Sequence, residues 1–285
     1  EPLRIGTGLQ GKIDEVALFD RPLSAAEIAG LWRSSGVGEQ RAAEAARKER
    51  EAAEQVRAAS PPSFAADAGE KIAGMKPLHS WSLAETPANA KAAGDVRFEG
   101  RSFGTFRGGR LAARDDALDD AWSVAFWFRS DVPSESRPVA AYLFSRGPAG
   151  DRQAPGDHLG IGGTASPTRP GRLLVYNGND AQELLVGTSV VAPRTWNHVV
   201  LARAGRRVTA WLNGGTEPEI DGEIGVTAAG VRDFFLGSRS DDFAPLEGFM
   251  AHAVIFDRAV SAAEARDLFA AYGRPAGPPQ EATPP

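Results

Sequence analysis

Residues 11–32 read GKIDEVALFDRPLSAAEIAGLW, and residues 248–269 read GFMAHAVIFDRAVSAAEARDLF. The two stretches align without a gap: a glycine, an alternating apolar run, Phe-Asp-Arg, then Ser-Ala-Ala-Glu. Ser24 or Ser261 can cap a helix through its hydroxyl, while Glu27 or Glu264, three residues on, reaches back to the amide of the cap. Each copy therefore predicts a strand, a tight turn and a capped helix. The lead-in repeats as well, with LRIG at residues 3–6 and FFLG at residues 234–237. A repeated closing unit implies a repeated domain, of which the first copy holds only the end.

Working outward from the second copy, the chain between Pro77 and Phe256 is a series of short Val-, Leu-, Phe- and Trp-rich runs broken by Gly, Pro and Asp. That pattern predicts an antiparallel all-β sandwich. The expected strands are 79–83, 96–99, 110–113, 123–129, 140–146, 158–161, 172–176, 183–188, 197–202, 208–213, 233–236 and 249–256. Four segments follow: a C-terminal domain fragment at 1–36, a spacer at 37–72, a complete domain at 73–273 and a Pro-rich tail at 274–285. Within the spacer, Gly38 to Ala59 is rich in Ala, Glu and Arg, with Glu44 and Lys48, Arg47 and Glu51, and Arg50 and Glu54 four apart, which predicts a charged, solvated helix. A fragment of about 35 residues cannot bury enough apolar surface to fold alone. Either its remaining strands lie upstream, or it pairs with an edge of the complete domain; the first is the expectation, and Glu1 in place of Met fits a piece of a longer chain.

At this point the sequence resembles a known family. Gly11 to Ile28 is similar to the closing motif of the laminin-G-like jelly rolls of the concanavalin A-like lectin and glucanase superfamily, Gly-x-Ile-Asp-Glu-Val-x-Ile-Tyr followed by Leu-Ser-x-x-Glu-Ile. Ala121 to Arg129 (AWSVAFWFR) resembles the family's early core strand. Trp196 to Leu201 (WNHVVL) and Val208 to Gly214 (VTAWLNG) resemble its Trp-x-His-Val strand and the next strand, which ends in Asn-Gly. The resemblance implies an all-β, two-sheet antiparallel jelly-roll sandwich with a short helix after the last strand, and ligand binding on the concave sheet.

Composition narrows the partners. A net charge of -5 with both signs interspersed leaves no basic stripe to track a phosphate backbone, so nucleic acid is not expected. No apolar run approaches the roughly 20 residues of a membrane-spanning helix. The chain has no cysteine, which removes disulfides, thiolate zinc sites and thiol nucleophiles together.

Three candidate chemistries remain. Glu219-Ile220-Asp221-Gly222-Glu223 resembles the Glu-x-Asp-x-Glu strand on which laminarinase-type glycosidases place two carboxylates about 5 Å apart. It follows Asn213-Gly214-Gly215 and contains Pro218 and Gly222, so it is read as a solvated acidic loop after a strand. Calcium is the one candidate cofactor. The resemblance assigns its closing-strand ligand to Asp14 in the first copy, but to Ala251, beside His252, in the complete one; Asp241 and Asp242 are the other candidate metal residues. Ligand binding is assigned to polar and aromatic residues near strand ends: Tyr142, Arg146, Tyr176, Asn177, Asn179 and Asp180. Trp122, Trp127, Trp196 and Trp211 are expected in the core. The expected function is a non-catalytic module binding glycan or protein, in a larger extracellular, periplasmic or cell-surface bacterial protein. The alternatives are a structural or partner-docking domain without a small-ligand site, and glycoside hydrolysis through Glu219 and Glu223.

Overall fold

The computed structural model describes residues 5, 10, 13, 16–36, 65, 67–100, 102–151, 156–165, 169–177, 184–225 and 230–272. The chain divides into two compact units, Glu1–Ala58 and Ala59–Pro285. The expected spacer helix, Gly38 to Ala59, lies outside the described residues, as does the Pro-rich tail.

In the first unit, α1 (Ala25–Ser34) carries the capping box that its sequence predicts. The Glu27 amide donates to Ser24 Oγ at 3.3 Å, and the Ser24 amide donates to the Glu27 carboxylate at 2.9 Å. Arg21, from Phe-Asp-Arg, binds the same carboxylate at 2.6 Å. This guanidinium, with the Ser24 amide and hydroxyl, holds the Glu27 pKa down to about 2. The expected strand before the helix does not form among the described residues of this unit. A strand is stable only with a ladder partner, and Val16, Leu18, Phe19, Ile28, Leu31 and Trp32 are 46–72% exposed.

The second unit is a sandwich of two antiparallel sheets, with strands numbered along the chain. The first sheet runs in the order β13 (Ile220–Glu223), β12 (Arg207–Leu212), β11 (Asn197–Ala204), β6 (Ala121–Ser130), β15 (Glu247–Phe256), β4 (Gly104–Arg107), β3 (Val96–Phe98), with β1 (His79–Trp81) also on β15. The second runs β10 (Leu184–Val190), β9 (Arg172–Tyr176), β8 (Asp157–Gly162), β7 (Val139–Arg146), β14 (Asp233–Leu236), β5 (Arg110–Arg114), β2 (Ala90–Ala93). The helix α2 (Ala68–Gly74) precedes the strands, and α3 (Ala262–Ala271) follows them.

Period-two alternation sends each strand's side chains to two faces, and both faces of the first sheet are apolar. On β6, Val124, Phe126 and Phe128 pack between the sheets, while Ala125 and Trp127 turn to the outside. There they meet Leu268 and Tyr272 of the closing helix region and Ile72 of α2. The compact unit thus draws α2 into its core, upstream of the expected boundary at residue 73. The α3 capping box repeats that of α1: the Ser261 amide donates to Glu264 at 2.8 Å, and Arg258 pairs with Glu264 at 2.7 Å. The aligned apolar positions exposed in the first unit are buried here: Ala253, Ile255, Phe256, Ala265 and Leu268.

Across the sandwich runs a buried polar link. Asp157 of β8 and Arg203 of β11, at 1% and 2% side-chain exposure, pair at 3.0 Å between the two sheets. Asn177 donates to the same carboxylate at 2.8 Å. Burial drives the Asp157 pKa up, against Arg203, Asn177, Arg146 and the Trp122 indole, which favour the charged form.

Removing one member of a buried pair strands the other charge, at a cost of about 3–5 kcal/mol. Asp157→Ala should lose that much in urea unfolding, whereas the double variant Asp157→Leu with Arg203→Met should recover most of it. Two buried histidines, His158 and His198, and the half-buried His252 set a second expectation. Burial lowers His198 and His158 to about 3 and His252 to about 4, with Arg239 adding to the effect on His158. All three stay neutral in the fold while the unfolded chain takes up protons below about 6.5. Stability should therefore fall as pH drops from 6.5 to 5, a window above the ordinary carboxylate range, with a slope of up to about 1.4 kcal/mol per pH unit for each histidine. Isothermal urea titrations across that window check it; a flat profile contradicts it.

Candidate functional site

The two sheets differ in what covers them. Among the described residues, helices close over the outer face of the first, whereas loops, the 237–246 segment and the stretch at Arg169, meet the outer face of the second. On β8, Asp157, Leu159 and Ile161 point into the sandwich, so His158, Gly160 and Gly162 face out. On β9, Leu173 and Val175 are core, so Arg172, Leu174 and Tyr176 face out.

A recess of about 190 Å³ lies on this face, floored by Leu174 and lined by Tyr142, Tyr176, Arg169 and Arg239, with Val139 and Leu184 at its apolar margins. Gly160 makes it possible. A Cβ there would come within 2.7 Å of the Ala141 carbonyl and 3.0 Å of the Tyr142 ring, so only glycine lets that ring lie against the sheet. Register irregularities in β7, between Val139 and Ala141 and between Tyr142 and Phe144, aim Tyr142 outward. Its ring sits edge-on to His158, which in turn lies 6.2 Å from the Tyr176 ring. His158 is fixed by Ser145 Oγ at 2.6 Å, and Ser145 also accepts from the Ser240 amide.

Arg239 forms one wall. Its guanidinium is 5.4 Å from the Tyr142 ring centroid and 4.8 Å from that of Phe243, which is 42% exposed at the rim. Asp241 holds it from behind through two bonds of 2.6 Å. That pairing lowers the Asp241 pKa and raises that of Arg239. Burial raises the Tyr142 hydroxyl pKa, so both charged groups at this wall keep their charge beside a neutral phenol.

The sequence-derived site residues separate into distinct places. Tyr142 and Tyr176 meet in the recess. Arg146 does not reach it: the side chain is fully buried, bonds the Val231 and Asp119 carbonyls and lies over Trp122. Burial lowers its pKa to about 10 even with Asp157 nearby. Asn177 also turns inward, donating to the Gly156 carbonyl and Asp157. Neither has a surface to offer a ligand, because inward strand positions were needed for the polar link. Asn179, Asp180 and Asp14 lie outside the described residues. Asp242 pairs with Arg110 at 2.7 Å and Asp241 with Arg239, so these two candidate metal carboxylates are each neutralised by a guanidinium. Among the described residues, no three His, Cys, Asp or Glu side chains gather to hold a metal ion. Val139, Leu174, Leu184, Arg169 and Arg239 are the lining residues that sequence reading missed. The outward parity of Leu174 on β9 was the available signal; the two arginines sit in loops, where no periodicity points.

The acidic segment corrects the loop reading. Ile220–Glu223 is a short edge strand on β12, with Arg207 opposite Glu223 and Asp221 paired to Arg207 at 2.6 Å. Glycine and proline are tolerated there because it is an edge. Glu219, just before it, accepts from the amides and hydroxyls of Thr188 and Ser189. Burial pushes its pKa up, but those four bonds together hold it below the ordinary value. Glu223 is exposed beside Arg206. The Glu219 geometry is that of a clamp between the β13 and β10 edges, and Glu219→Ala should cost about 1–2 kcal/mol of stability in chemical denaturation; an unchanged midpoint would remove that role.

A family model described as the concanavalin A-like lectin/glucanases superfamily (Laminin_G_3) matches residues 103–266. Among solved structures, domain 4 of AbnA, an extracellular arabinanase of Geobacillus stearothermophilus solved with arabinotriose, is similar at a TM-score of 0.53 and 15% identity, over 68% of this chain and 98% of that one. A Trypanosoma rangeli sialidase solved with 2,3-difluorosialic acid is similar at a TM-score of 0.50 and 14% identity, over 82% of this chain and 39% of that one. At these identities the likeness is one of fold. No curated protein matches the chain.

Proposed function

Because the chain belongs to the laminin-G-like branch of the concanavalin A-like lectin/glucanases superfamily, we propose that its second unit is a non-catalytic carbohydrate-recognition module that binds through the outer face of the seven-stranded sheet. The observation that carries this is the recess bounded by Tyr142, Tyr176 and Leu174 with guanidiniums at its edge. Sugar rings bind by laying an apolar C–H face on an aromatic or aliphatic surface while their hydroxyls take polar partners. The arabinotriose complex of a domain with the same fold supports a saccharide as ligand. Glu219 and Glu223 support no glycosidase reading: the first spends its oxygens on Thr188 and Ser189, and the second stands exposed beside Arg206.

We read the first unit as the closing end of a preceding copy of the same domain. Two observations support this: the capping box with its arginine is reproduced bond for bond, and its exposed apolar positions align with buried ones in the second unit. Such repetition suits a large secreted or surface bacterial polypeptide that gains avidity from several weak sites. No helix among the described residues is long and apolar enough to cross a membrane.

Binding to a panel of soluble polysaccharides, followed by isothermal titration calorimetry, tests the reading. Tyr176→Ala should weaken binding about tenfold, ~1.4 kcal/mol, and leave the melting temperature within a few degrees. Polysaccharide binding that survives this change would move the saccharide site away from the recess, and no binding to any polysaccharide would favour a partner-docking role.

A further inference from the structure

The recess is unusual in what it offers to hydroxyl groups. A neutral sugar's hydroxyls both donate and accept, and a site for them supplies acceptors as well as donors. Here the charged and polar lining among the described residues is Tyr142, Tyr176, Arg169 and Arg239, with no carboxylate or amide oxygen. Asp241, the acid that holds Arg239, spends its oxygens on Arg239 and the Phe243 amide. Asn177, the amide next to Tyr176, faces the interior of the sandwich. The guanidiniums are not equivalent. Arg239 is compensated by Asp241, whereas Arg169 makes no ion pair with any described residue, and Arg172 shares the outward face of β9 with Leu174 and Tyr176. Among the described residues the local charge is therefore positive, on a chain whose net charge is -5, so overall attraction cannot supply the preference and the recess must.

We infer that the recess selects an acidic sugar, its ring against Leu174 and Tyr176 and its carboxylate or sulfate on the Arg169 guanidinium. This rests on the carbohydrate-binding reading above. A guanidinium matches a planar carboxylate or a sulfate edge through paired N–H donors, and the buried Tyr142 in the same recess strengthens that pairing relative to open water.

The test is calorimetry on the full chain with two neutral polysaccharides (arabinan and a soluble β-glucan), two acidic ones (polygalacturonate and chondroitin sulfate) and polyglutamate as an acidic polymer without sugar. The expected result is at least tenfold tighter binding of the acidic polysaccharides than of the neutral ones, weakening as salt rises from 50 to 300 mM on the order expected for screened charges. Arg169→Gln should bring the ratio of acidic to neutral affinity close to one, while Arg169→Lys should keep much of it. The melting temperature of each variant separates loss of the site from loss of the fold. Neutral binding that equals acidic binding and still depends on Tyr176 would overturn the charge selection and leave the carbohydrate reading standing. Polyglutamate binding as tightly as the acidic sugars would overturn the sugar assignment of the anion site. No binding by any polysaccharide would remove the carbohydrate reading itself.

Discussion

The ion pair between Asp157 and Arg203 is the constraint on which the rest of the sandwich turns. It joins the two sheets through their interior, and it determines more than their separation. A strand has two faces and no third choice. Once Asp157 points inward with Leu159 and Ile161, His158, Gly160 and Gly162 must face out. That outward set is what the recess is built on: His158 sits between the two tyrosine rings, and Gly160 gives Tyr142 room to lie against the sheet. A slip of β8 by one residue would bury His158, expose the carboxylate and fill the recess floor. Arg146 and Asn177 belong to the same constraint, since both complete the polar surroundings of the link and neither faces solvent.

The second organising feature is the unequal covering of the sheets. The first sheet buries apolar residues on both faces because α2 and α3 lie over it, with Trp127 packed on Phe269 and Tyr272. That packing makes it a rigid wall. No helix among the described residues covers the second sheet, and its outward residues include tyrosines, a histidine held by Ser145 and an arginine held by Asp241. A mixed aromatic and cationic face is stable in water and still adhesive to a ligand that is partly apolar and partly charged.

Much of the architecture was legible in the sequence. The capped helices were, because Ser-x-x-Glu is a local device whose partners lie three residues apart. The long strands were, because their alternation is strong. Strands such as AKAA at 90–93 and GTFR at 104–107 were not, since they carry little apolar signal and owe their pairing to neighbours distant in the chain. Tyr142 and Tyr176 could be named as surface aromatics, but nothing local brings β7 and β9 to the same recess across β8. The inward charges had a signal that went unread. Arg203 falls on the parity of Val199 and Leu201, and Asp157 on that of Leu159 and Ile161; two opposite charges at core positions of different strands point to a buried pair. Arg239 and Arg169 had none, because loop geometry is set by the fold that surrounds it.

The most direct test of the account is to map where a saccharide touches the domain. Amide chemical shifts of the chain should be followed during titration with a polysaccharide fragment that binds. The account predicts perturbations confined to β7, β8, β9 and the 237–246 segment, centred on Tyr142, Tyr176 and Arg239. Perturbations centred instead on α3 and the outer face of the helix-covered sheet, with the open face silent, would contradict it.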